Sequence, residues 1–66
     1  MKYLTLVGEM AKNKISNKAI ANLLGIHPNS AYNKLKGDSS FTVEEALLIR
    51  DNFFPKRDID ELFKTE

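Results

Sequence analysis

"GIHPNSAYNKLKG", residues 25–37, decides how this chain folds. Two glycines frame the stretch, and Pro28 falls near the start of an otherwise helical pattern. At the first position of a helix a proline costs nothing, because the N–H there has no intrahelical partner and the ring already holds φ near the helical value. Pro28 therefore opens a helix of about nine residues, which Gly37 closes in the left-handed conformation that glycine adopts without strain.

With successive residues about 100° apart around a helix, Ala31, Leu35 and Pro28 share one arc, with Tyr32 at its edge. Asn29, Ser30, Asn33 and Lys34 fill the opposite arc, and Lys36 lies beside it. One side is apolar; the other is small, amidic and basic. A merely solvated face would favour Glu and Lys, which form helices better than Asn and Ser, so this choice points to another demand. Asn can bond bidentately to adenine N6 and N7, Ser can serve several bases, and Lys can approach guanine or a phosphate.

Upstream, Ser16 is placed to cap a preceding helix whose buried side is Ile20, Leu23 and Leu24, and Gly25 suits its left-handed end. Only "GIHP" joins the two helices. This is the helix-turn-helix spacing, over residues 16–37 approximately, in which the first helix braces the second. The outer face of the second is then free to enter a major groove about 12 Å wide.

Downstream, "GDSS" reads as a loop and "FTVEE" as a capping box, with Thr42 as the cap, Glu45 reaching back to it and Phe41 just ahead. The fourth helix is expected to run to about Asn52, with Val43, Ala46, Ile49 and Phe53 on its inner stripe, and Pro55 stops it. Asp58 is placed to cap a short last helix carrying Ile59, Leu62 and Phe63. At the other end, Tyr3, Leu6, Val7 and Met10 recur at the spacing of a first helix with one buried stripe, closed by Asn13 and Lys14. The expected fold is all-α, a compact bundle of five short helices forming a single domain over residues 1–66, with little room for a cavity.

The chain has 66 residues and no cysteine. A domain of this size buries only ~60% of its unfolded surface, so the core is thin and neither disulfides nor thiolate metal sites supplement it. "MKYLTLVGEM" lacks the long apolar region of a signal peptide and is far too short to span a membrane, so a cytoplasmic protein is expected. The net charge of +1 hides an asymmetry. Residues 1–36 sum to +5 and residues 37–66 to −4, which fits either one face for a polyanion and another turned away from it, or lysines that only keep a small domain in solution.

"SNKAIANLLGIHPNSAYNKLKG" resembles the helix-turn-helix of the Cro and repressor proteins of lambdoid phages and of the wider XRE family. The likeness lies in "IANLLGI", in a helix beginning three residues after Gly25, and in Gly37 twelve residues after it. "KLKGDSSFTVEEALLI" is similar to small phage-encoded regulators of Gram-positive bacteria, which share a K-[IL]-x-G ending, a short polar loop and an F-T-x-x-E helix start. The resemblance covers residues 16–54 well and the first helix loosely. It implies a lambda-repressor-like DNA-binding domain and a transcriptional repressor acting on double-stranded operator DNA.

The same resemblance implies base reading at Pro28, Asn29, Ser30 and Asn33; Lys34 joins them from its place on the polar arc. It implies phosphate contacts at Asn17, which opens the preceding helix, and at Lys36, before the closing glycine. Lys18 and the Ser39–Ser40 loop are expected to hold further phosphates. Pro28 departs from the family pattern, since many relatives place a polar reader there; proline offers no donor, and its ring could only pack on a thymine methyl. Tyr32 has two readings: an edge residue with its ring on the second helix, or a phenol hydroxyl on a phosphate.

His27, the single histidine, is read as a surface residue or helix cap and not as a metal ligand. Ser30, Ser39 and Ser40 lack a base partner, and Asp58, Asp60 and Glu61 fit a helix N-terminus. No catalytic residue, cofactor, metal or small-molecule substrate is expected. Arg50 falls within the inner arc of the fourth helix, where it would snorkel or pair with an acid. Leu47 and Leu48 fall outside the inner stripe, and Phe54 follows them. They are expected to touch the last helix or else to form a dimer contact, which reading a palindrome would need. Two alternatives keep the fold: a protein-interaction module such as an antirepressor or adaptor, or the DNA-binding head of a longer repressor, against which the charged ending "FKTE" argues.

Overall fold

The computed structural model describes residues 2–65, and their regular structure is entirely helical. Five helices follow one another: α1 (Leu4–Lys12), α2 (Asn17–Leu24), α3 (Pro28–Lys36), α4 (Val43–Phe53) and α5 (Ile59–Leu62). They fill a nearly isometric body of 26 × 23 × 22 Å.

Local chemistry explains most boundaries. The Ser16 hydroxyl accepts from the Ala19 N–H at 3.2 Å and starts α2. Gly25, at φ 68°, ends it, and the Gly25 and Ile26 N–H groups both return to the Ala21 carbonyl. Pro28 is the first residue of α3, and Gly37, at φ 103°, terminates it. The capping box is complete: Thr42 N–H donates to Glu45 Oε1 at 2.9 Å, and Glu45 N–H donates to Thr42 Oγ1 at 3.1 Å.

Leu6, Ile20, Ile49 and Leu62, one each from α1, α2, α4 and α5, are fully buried. Burying such a side chain is worth ~1.5–3 kcal/mol. From α3 come Ala31 and Leu35. Ala21 and Ala31 are both fully buried, and α2 and α3 share the most extensive helix–helix contact in the fold. Small residues at such a crossing let two backbones approach closely. Tyr3, Phe41 and Phe63 form an edge-to-face triangle with centroids 5.3–6.0 Å apart, which pins the chain start and the α3–α4 loop to the end of α5.

Three expectations are corrected. Val43 is 75% exposed; it lies in the first turn of α4, beside the capping box, and the buried residues of that helix are Ala46 and Ile49. Phe54 is only 4% exposed. It is the C-cap of α4, at φ −136° and ψ 57°, and its ring belongs to the core, so it shares no surface with Leu47 and Leu48. Asp58 precedes α5 but makes no side-chain cap; its carbonyl accepts from the Leu62 N–H at 2.9 Å, and the single turn rests on that bond and on buried Leu62.

Candidate nucleic-acid interface

The outer face of α3 follows from which of its residues α2 covers. Ala31 and Leu35 are buried, whereas Asn29, Ser30, Tyr32, Asn33 and Lys36 are exposed and Pro28 is half-buried. Among the described residues, the side chains of Asn29, Ser30 and Asn33 have no intramolecular hydrogen-bond partner. All three residues are exposed. The backbone beneath them is firmly held: His27 Nδ1 accepts from the Asn29 N–H at 3.0 Å, which makes His27 the N-cap. At the other end the Asn33 carbonyl accepts from the N–H groups of Gly37, Asp38 and Ser39 at 3.1, 2.9 and 3.3 Å.

Asn17, the first residue of α2, donates from Nδ2 to the Pro28 carbonyl at 3.4 Å. This long bond sets the start of α2 beside the start of α3, so the residue expected on a phosphate adjoins those expected on bases. Lys18 is exposed on the next position of α2, and Ser39 and Ser40 are exposed in the loop after α3.

Lys34 departs from its expected role. Its side chain is 18% exposed, and Nζ donates to the Ser40 carbonyl at 2.9 Å while lying 3.1 Å from Glu45 Oε1. Lys34 sits at the edge of the outer arc, close enough to α4 for its stem to fold inward, with Nζ 6.0 Å from the Phe41 ring centroid. It braces the α3–α4 loop and is withdrawn from the face that carries Asn29 and Asn33. Burial pushes the Glu45 carboxyl up, but the Thr42 N–H and the Lys34 ammonium outweigh it and hold the group below its ordinary value.

Tyr32 and Lys36, one turn apart, form a stack, with Lys36 Nζ 5.4 Å from the ring centroid. The same ammonium lies 2.9 Å from Asp38 Oδ2, and this bond to Asp38 raises the Lys36 pKa. Tyr32 is thus 44% exposed, with the Lys36 ammonium over its ring.

Two residues at this end of α3 escape a reading by helix periodicity. Lys2 packs on Gly37: a Cβ added there would sit 2.7 Å from Lys2 Cβ and 3.1 Å from its Cδ. A lysine from the start of the chain therefore flanks the end of α3. Asp38 is the other, because it takes up Lys36. Only the neighbouring loop residue with the opposite charge hinted at it in the sequence.

Residues 10–37 carry five lysines and no acid; Lys18 lies on α2, and Lys34 and Lys36 lie on α3, where they pair with Glu45 and Asp38. Leu47 and Leu48, 37% and 44% exposed, lie on α4. Arg50 pairs with Asp51 at 2.6 Å. The described residues enclose no pocket, and none of their helices is long and apolar enough to cross a membrane. No protein-family model, curated protein or solved structure matches the chain.

Proposed function

We propose that this chain is a sequence-specific, double-stranded DNA-binding transcriptional regulator of the Cro-like, XRE kind, a phage repressor working in the cytoplasm of a bacterial host. In this reading α2 and α3 are a helix-turn-helix, and α3 lies in the major groove of an operator. Asn29, Ser30 and Asn33 face base edges, with Pro28 offering an apolar contact. Asn17, Lys18, Lys36, Tyr32 and the Ser39–Ser40 loop track phosphates, which supply a sequence-independent and salt-sensitive part of the affinity. The carrying observation is the exposed, unpartnered amide and hydroxyl face of α3, set in an acid-free basic segment and braced from behind by α2.

Selection of bound duplexes from a random pool tests this reading. An enriched motif is expected, and an inverted repeat would add two-fold recognition by a dimer formed at least on DNA. Failure to enrich any sequence at low salt would overturn it. A second reading draws on the exposed Val43, Leu47 and Leu48 of α4: a protein-interaction module whose duplex binding is weak and indifferent to Asn29 and Asn33.

A further inference from the structure

We propose that Asp38 is a built-in competitor for the phosphate expected on Lys36, so that the free protein holds this contact partly masked. The inference rests on the nucleic-acid reading of α3 and adds a regulatory element to that surface. Three observations carry it. Asp38 is the first acid after residues 10–37, and its Oδ2 lies 2.9 Å from Lys36 Nζ. Its position is set by the helix end: Gly37 turns the chain through φ 103°, and the Asp38 N–H donates to the Asn33 carbonyl at 2.9 Å. Lys36 is also held from its own helix by the Tyr32 ring beneath Nζ. The ammonium is thus fixed between a ring and a carboxylate, a geometry that an approaching phosphate oxygen would have to replace.

The cost of that exchange is ionic. When Lys36 moves to a phosphate it releases a counterion from the duplex, but the carboxylate it leaves recruits a cation from solution. The net release from this contact falls, and with it the salt dependence of binding. The pair is exposed on both sides, at 43% and 62%, so it is weak enough to open under the field of a duplex. Asp38 therefore lowers affinity for all sequences alike and leaves base discrimination to α3.

The test uses the full chain and a mixed-sequence DNA duplex, titrated by fluorescence anisotropy between ~50 and ~200 mM salt. Asp38→Asn keeps the backbone bond to Asn33 and the turn at Gly37, so the variant retains the fold. It should bind about two- to fivefold more tightly at low salt, with a salt slope steeper by up to ~0.9. In a Lys36→Gln background the Asp38 substitution should change no more than Asp60→Asn, the same charge change on α5. An equal gain in the Lys36→Gln background, or from Asp60→Asn alone, would overturn the proposal, because Asp38 would then act only through net charge. Wild-type binding with no gain from Asp38→Asn would overturn it and leave the DNA reading standing. Absence of binding by both proteins would remove the two together.

Discussion

Lys34 and Glu45 meet 3.1 Å apart across the α3–α4 loop, with side chains only 18% and 20% exposed. Glu45 Oε1 also accepts the Thr42 N–H, so one carboxylate closes the cap of α4 and anchors α3 to it. Because folding lowers the Glu45 pKa, its contribution is complete above the unfolded value and is lost as pH falls through the folded one. Glu45→Gln should cost about 0.5–1 kcal/mol at neutral pH. The difference from wild type should vanish in acid, as read by urea unfolding across a pH series.

Asn33→Ala should relax preference at one base pair by ~1–3 kcal/mol, measured by competition between a selected operator and its single-base variants. Lys34→Met should lower stability and leave the ranking of those variants unchanged. Equal losses on operator and random duplex for Asn33→Ala would remove it from the base-reading set.

The two helix-ending glycines should respond unequally to alanine. Both have positive φ, but a Cβ on Gly25 meets nothing within 4 Å, whereas one on Gly37 meets Lys2 Cβ at 2.7 Å. Gly25→Ala should cost about 1 kcal/mol, and Gly37→Ala about 1–3 kcal/mol with a displaced chain start. Thermal unfolding of the two variants gives the order.

Phe54→Ala should destabilise by ~3–5 kcal/mol, since its ring is in the core. Leu47→Ser and Leu48→Ser should each cost about 1 kcal/mol, well below the Phe54 loss. Sedimentation of the leucine variants with and without duplex then reports whether α4 joins two copies on DNA.

What could be read from the sequence was what neighbours in the chain decide. Pro28 as a first turn, Gly25 and Gly37 as left-handed ends, and the Thr42–Glu45 cap all depend on residues within four positions of each other. The polar face of α3 was legible too, because a helix period places Asn29 and Asn33 opposite Ala31 and Leu35. Periodicity failed where packing between elements takes over. Val43 obeys the stripe but is exposed in the first turn, where the burial begins only at Ala46. Phe54 follows the expected helix and so has no place in its pattern, yet its ring is in the core. Lys34 belongs to the outer arc by angle, but Ser40 and Glu45 draw it aside. Lys2 reaches the end of α3 only through the tertiary fold.

Asn33 carries two separable duties. Its carbonyl gathers three N–H groups at the end of α3, a service that any residue's main chain can render, while its amide faces outward without a partner. Exchanging the side chain therefore leaves the helix end intact. Under the proposed DNA reading, the position is one where a side-chain exchange would change sequence preference without a new fold.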